Sequence, residues 1–305
     1  MAKAAPARET GLKRAHFREP RLAYLLLLPQ ILILALFFFI PAIRALAQAF
    51  LLADPFGARS QFVWFDNFAA LLSSPEYQSS IWVTVVFTIV QSASTLLIAL
   101  VLAFATDRVV RGRGAYRGVL LLPYAIAPAI AGILWAFLFN PAVGPLAHAL
   151  HGLGIPWDPN RNGDHAMILV IAAASWKHIC YDYIFLLAGI LAVPPSLVEA
   201  AAVDGAGPIL RFVRIVMPML GPTFFFLIVM NFVYGLFDTF AIVDAVTRGG
   251  PAGATNILVY KVYQDGFVNL DLGSSAAQSV LLMAFALVLT VLQFRYVERS
   301  VNYDV

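Results

Sequence analysis

The chain has 305 residues, 61% of them hydrophobic and only 12% charged, with a mean hydropathy of +0.82. Ordinary soluble domains carry roughly 45–50% apolar and about 25% charged residues, so this balance excludes a soluble enzyme or binding module and leaves an integral membrane protein. One cysteine, Cys180, excludes an intramolecular disulfide framework, and a net charge of +3 matters only through its distribution.

Residues 1–21 form a basic tail. The apolar run that follows, 22–50, outlasts the ~7–15-residue core of a signal peptide and is expected to remain as a first transmembrane helix. Crossing the hydrocarbon takes about 20 mostly apolar residues in a helix. Six segments meet that need: 22–46, 81–105, 116–139, 166–191, 212–240 and 275–296. Backbone groups in lipid must be satisfied within the segment, which makes these helices. The expected fold is an all-α membrane protein with six transmembrane helices, the last five forming a core over 77–299. The connections at 52–80, 141–165 and 241–274 are long and hold aromatic, Pro and Gly residues. They read either as a docking surface or lid, or as simple interfacial anchoring of Tyr and Trp.

Lysine and arginine set the orientation. With a cytoplasmic N-terminus, the inner segments hold fourteen of these residues: Lys3, Arg8, Lys13, Arg14, Arg18, Arg21, Arg108, Arg111, Arg113, Arg117, Arg211, Arg214, Arg295 and Arg299. The outer segments hold five: Arg44, Arg59, Arg161, Arg248 and Lys261. Both termini are therefore expected in the cytoplasm. The run from Arg108 to Arg117 reads as an anchor to lipid headgroups and gives no case for nucleic acid.

The fourth and fifth apolar segments are separated by a small polar island, 194–214. Pro194 and Pro195 end the preceding helix. Ser196 is then expected as an N-cap with Glu199 at the third helical position, in a reciprocal capping arrangement. A helix of about three turns follows, and Gly205 and Gly207 permit a turn. Its small residues let it sit deep in a partner's groove, with Glu199 and Asp204 available for pairing. Generic features alone leave an ordinary interfacial loop helix as an equal alternative.

The island, EAAAVDGAGPILRFVRIVMP over Glu199–Pro218, resembles the cytoplasmic loop of the membrane subunits of bacterial ABC importers. The segment Thr247…Gly249-Gly250-Pro251…Thr255, followed by Tyr260, Tyr263 and Phe267, is similar to the outer loop of the carbohydrate-type members of that family. Asp271–Ser279 is similar to the start of their last span. The resemblance is close over 176–298 and covers the N-terminal half only in layout. Met217 departs from the family's usual Leu, a volume-conserving change.

The resemblance implies a type I importer permease forming half of a pathway with a homologous B-type permease subunit. Two copies of a cytoplasmic ATPase would drive it, and an extracytoplasmic binding protein would deliver substrate. ATP and magnesium would belong to the ATPase, because this chain has no G-x-x-x-x-G-K-[ST] loop and needs no cofactor. The coupling residues implied are Glu199, Ala200, Ala201, Asp204, Gly205 and Ala206, and the docking residues Gly249, Gly250, Pro251, Tyr260 and Tyr263. The implied substrate is a glycerol phosphate or glycerophosphodiester, with sugars and oligosaccharides as the alternative within the family. A secondary transporter driven by an ion gradient is the alternative from another class, but no internal repeat is evident.

Polar side chains inside spans are costly and face a partner or a water-filled path. Lys177 shares a helical face with Tyr181. Asn231, Tyr234 and Asp238 recur at three and four residues, giving a polar stripe on the fifth span. Gln278 lies near the outer end of the sixth, and Gln91 sits within the second. Lys177, Tyr181, this stripe and Gln278 are expected to line the path, a cation suiting an anionic phosphate. The alternative is that they satisfy one another or the partner subunit. Asp182 pairs with Lys177 or anchors at the interface. His148 and His151 read as loop anchors rather than metal ligands.

Overall fold

The computed structural model describes residues 20–53, 60–108 and 112–297, and the basic tail expected over 1–21 lies almost entirely outside them. Two units divide at Ala47, Met1–Ala47 and Gln48–Val305. In the first, α1 (Pro20–Leu34) runs through a π turn at Ala35–Phe39 into α2 (Ile40–Gln48). The widened turn has a local cause. Pro41 has no N–H and its ring crowds the carbonyl four residues back, so the ladder shifts and Ile40 N–H reaches Ala35 O.

A short antiparallel hairpin, β1 (Leu51–Ala53) with β2 (Ser60–Phe62), opens the second unit and leads to α3 (Asp66–Ser73). The next helix, α4, spans Pro75–Arg108 and starts earlier than its apolar run predicts. Pro75 begins it, where a missing N–H costs nothing, and a polar first turn carries it beyond the apolar stretch.

The third expected span is not one helix. It is α5 (Arg113–Ala125) and α6 (Pro128–Leu138), bent by 99°. Pro128 bars its predecessor from helical geometry, and Ile126 and Ala127 are both extended (ψ 131° and 141°). Composition reported continuous apolarity and missed the break. The connection that follows contains α7 (Pro145–Gly152). Then α8 (Gly163–Ala192) starts on Asn162, whose side chain accepts from the N–H groups of Asp164 and His165.

The polar island folds as α9 (Pro195–Val203) and α10 (Pro208–Arg211). The fifth span is also broken. A π turn at Phe212–Val216 precedes Pro218 as the first π turn precedes Pro41, and α11 (Met217–Met219) ends at Leu220. The span proper is α12 (Gly221–Val233) with a π turn at Tyr234–Asp238. The outer connection is largely helical, with α13 (Phe240–Val246), α14 (Leu258–Tyr263) and a π turn at Gln264–Val268. The last span is α15 (Leu272–Leu292), capped by Asp271 and continued by a π turn at Gln293–Val297. Among the described residues five helical runs are long and apolar enough to cross a membrane, and the bent α5–α6 pair makes six.

Packing in the second unit centres on α8. Along it lies α4, with α5, α6, α12 and α13 on its other sides. Polarity is inverted relative to a soluble core. The face that α4 buries carries Ser80, Thr84, Thr88, Gln91, Ser92 and Thr95, while Ile89, Leu97, Ile98 and Val101 are exposed. In a membrane the apolar side chains face outward and small polar ones allow close helix approach.

Candidate functional site

Two regions carry the polar chemistry. The first is α9 with its supports. It starts at Pro195, not Ser196. Pro194 is the N-cap with no side-chain bond, so the expected Ser196/Glu199 capping arrangement does not form. Pro195 takes the first helical position because its φ is already set and it has no donor to leave unpaired. Ser196 is thereby pushed to the second position and Glu199 beyond capping reach.

The C-terminus of α9 meets the expectation of a turn. Gly205 adopts φ +82°, its N–H bonds Ala202 O at 3.1 Å, and Ala206 N–H bonds Ala201 O at 2.9 Å. That paired pattern closes a helix through a left-handed residue. No residue of α9 is buried, and Val203 is 88% exposed. Glu199, Ala200, Asp204 and Gly205 are exposed, and Ala201 and Ala206 half-buried. Beneath the helix lies a cleft of about 420 Å³ lined by Asp107, Arg108, Glu199 and Arg211 among others.

The second region is the polar interior of the spans. Asn231 is fully buried and donates Nδ2 to both oxygens of Asp182, at 2.8 and 2.9 Å, and to Leu227 O at 2.9 Å. The His178 ring lies against Tyr234, centroids 3.9 Å apart, and stacks on Tyr181 at 5.2 Å. Its Nε2 is 3.9 Å from Asp182. Tyr234 is buried, with its hydroxyl donating to Ala174 O. Only Asp238 of the expected stripe is exposed. The stripe is therefore split: the π turn at Tyr234–Asp238 changes the residues per turn and rotates Asp238 away from Asn231.

Lys177 is half-buried and donates to Tyr124 O at 2.9 Å, with its ammonium 5.1 Å from the Tyr124 ring centre. One turn on, the Cys180 thiol donates to Leu120 O at 3.0 Å. The Lys177 bond meets a carbonyl at the end of α5, where Pro128, four residues on, has no N–H to offer. Asp182 pairs with neither Lys177 nor the surface. It sits inside, against Asn231, a partner 49 residues away that spacing along one helix could not reveal.

At the outer side, Gln278 is fully buried and does not face an open path within this chain. Its amide donates to the Asp265 carboxylate, which is also 3.0 Å from Lys261 Nζ and accepts from Asn269. Lys261 and Asp265 share a helical face at four residues, the signal that could have found this pair. The loop before α14 is stitched by Thr247 and Thr255, whose hydroxyls are 2.7 Å apart, and by Thr255 donating to Gly250 O. Gly249 has φ +78° and lies on the Tyr260 ring, where a Cβ would stand 3.0 Å from a ring carbon. Tyr260, expected on a docking surface, is 6% exposed and supports Gly249 from below. Burial, aided by the Asp244 carboxylate, pushes its phenol above the ordinary range. Tyr263 stays exposed, and Gly250 and Pro251 are half-buried. His148 and His151 bond Gly144 O and Trp157 O, as loop anchors do.

Several apolar helices, buried polar side chains between them and an exposed short helix of small residues describe a membrane-embedded protein with a bare surface for a partner. Residues 68–303 match the model of the binding-protein-dependent transport system inner membrane component family, and the chain belongs to that family. It is 54% identical over 292 residues to the sn-glycerol-3-phosphate transport system permease protein UgpA of Rhizobium meliloti (strain 1021), covering 96% of this chain and 100% of that one. It is 55% identical over 287 residues to the protein of the same name from Agrobacterium fabrum, covering 94% and 98%. Its fold matches a chain of a bacterial ABC transporter involved in import of the acidic polysaccharide alginate, with a TM-score of 0.80 at 23% identity over 92% of this chain and 96% of that one. A second structure, of a bacterial alginate ABC transporter in complex with alginate pentasaccharide-bound periplasmic protein, gives 0.79 at 24% identity, covering 93% and 96%. The chain thus has the all-α fold of ABC importer transmembrane domains.

Proposed function

We propose that this chain is one of two homologous permease subunits of an ATP-driven importer that carries sn-glycerol-3-phosphate or glycerophosphodiesters inward across the bacterial cytoplasmic membrane. The observation that carries the reading is identity above one half, along the whole length, to permeases of an sn-glycerol-3-phosphate transport system. In this reading the chain catalyses nothing itself. Two copies of a cytoplasmic ATPase bind ATP and magnesium, and an extracytoplasmic binding protein delivers substrate.

The exposed α9 is the surface on which one ATPase docks. Its small residues, Ala200, Ala201, Gly205 and Ala206, admit a close approach, and Glu199 and Asp204 supply charge. The lysine and arginine distribution supports a cytoplasmic position for this helix and both termini. Gly250, Pro251 and Tyr263 form the outer patch for the binding protein, with the buried Gly249 and Tyr260 as its floor.

Lys177, Tyr181 and Asp238 are the path residues. An exposed carboxylate on a membrane-spanning helix requires water or a partner rather than lipid, which supports a position for Asp238 on the pathway or the subunit interface. Asn231, Tyr234 and Gln278 act behind that surface by fixing Asp182, His178 and Asp265. The test is uptake into vesicles holding the complete complex, with purified binding protein and ATP inside. Saturable uptake of sn-glycerol-3-phosphate or a glycerophosphodiester is expected. Uptake of oligosaccharides alone, or uptake on a proton gradient without ATP, would overturn the assignment.

A further inference from the structure

The supports of α9 reach a helix that is not its neighbour in sequence. Arg108, the last residue of α4, donates from Nη2 to Pro208 O at 3.2 Å, at the start of α10. Arg211, the last residue of α10, donates from Nη1 to Val198 O at 3.4 Å, in the middle of α9. One turn before Arg108, the Phe104 ring lies against Phe212 with centroids 4.3 Å apart, and the Arg108 guanidinium lies over the Phe104 ring at 4.1 Å. All four side chains border the cleft beneath α9. Chain connectivity alone would tie α9 to α8 through Val193–Pro194 and to α12 through α10 and α11. These contacts add α4, about 100 residues earlier, as a third attachment.

The contacts act as a set at this junction. Guanidiniums are planar multi-donor groups, and each spans from one helix to a carbonyl of another. The carbonyls they hold belong to a helix end and a short exposed helix, which have little other support. Aromatic stacking beside them resists sliding. From its Arg108 end, α4 runs back along α8 to the buried polar face at Gln91, Thr88 and Thr84. There Thr84 Oγ1 accepts from Leu258 N–H at 2.8 Å, capping α14 below the outer loop. A displacement delivered at α9 therefore has a continuous packed route through α4 to the outer side.

We propose that Arg108, Phe104 and Arg211 are positioning residues that make α4 an arm of the coupling lever, so that force applied to α9 moves α4 with α8 and α12. The proposal rests on the reading that α9 is where the ATPase docks. It concerns transmission, not docking, because neither Arg108 nor Phe104 lies on α9.

The experiment uses the full complex in proteoliposomes and reads two rates together, binding-protein-stimulated ATP hydrolysis and substrate uptake. Arg108→Met keeps the apolar stem and removes the donor. It should leave co-purification of the ATPase at the wild-type level and lower substrate moved per ATP by roughly three- to tenfold, within the span that single changes along a coupling route produce. Arg108→Lys, which keeps a cationic donor, should recover most of the ratio. If Arg108→Met does not assemble, Phe104→Leu carries the same expectation, since it removes the ring from Phe212 and retains apolar volume. An unchanged ratio in an assembled Arg108→Met or Phe104→Leu complex overturns the proposal. Failure of the wild-type chain to bring down any ATPase would instead sink the docking reading beneath it.

Discussion

At the residue scale, the arrangement turns on where buried charge finds a partner. Asp182 is taken from water and lipid alike and is held by the Asn231 amide, which donates to both its oxygens. Replacing Asn231 with Leu preserves approximate volume but strands the carboxylate, which costs about 1–3 kcal/mol or more for a charged group. The expected outcome is a lower melting temperature of the detergent-solubilised complex, checked by fluorescence-detected thermal unfolding, with Asp182→Asn partly restoring it beside Asn231→Leu. Lys177 holds Tyr124 O yet remains half-buried. If it also meets a phosphate, Lys177→Met should raise the KM for uptake by roughly tenfold, the scale of one charge-assisted hydrogen bond. Unchanged uptake kinetics would confine Lys177 to the end of α5.

At the element scale, two glycines set the limits. Gly205 has open space around it, so steric room does not explain the residue; its φ of +82° does. Gly205→Ala should strain the end of α9 by about 1–2 kcal/mol, and reduce ATPase retention in co-purification, while Gly205→Asn is tolerated better because Asn enters the left-handed region. Gly235 is the opposite case. A Cβ there would lie 2.9 Å from Thr88 Cγ2 and 3.1 Å from its hydroxyl. Thr88 is β-branched and has few rotamers through which to yield. Gly235→Ala should destabilise by about 1–3 kcal/mol through overpacking, and Thr88→Ala should relieve most of it in a double-mutant cycle.

The same scale shows what the linear pattern conveyed and where it stopped. The end of α8 before Pro194 and the glycine that ends α9 were readable because each acts on its own neighbours, whereas the start of α9, expected at Ser196, lies at Pro195. The α5–α6 bend was written in Pro128, but a composition window averages over a single residue. Asp182 and Asn231 were both visible as polar residues in apolar spans, yet no local rule could bring together side chains 49 residues apart. Asn231, Tyr234 and Asp238 were assigned to one face on regular helical spacing, and the π turn removed that regularity.

At the scale of the whole molecule, the family assignment makes the chain one part of an assembly. Purification through a tag on this chain should bring a second permease and an ATPase in stoichiometric amounts, and hydrolysis should rise when loaded binding protein is added. Absence of both proteins under mild solubilisation would contradict the importer reading. Short-range information was enough to show segments long and apolar enough to span a membrane, roughly where they lie and, through motif resemblance, the family. These follow from composition, length and short-range motifs, each set by residues close together in the chain. Tertiary structure alone decided that Asp182 meets Asn231, that Gln278 serves a buried ion pair, and that Arg108 reaches the segment after α9. Such pairings depend on how helices pack, and packing is fixed by the summed fit of many side chains rather than by any spacing along the sequence.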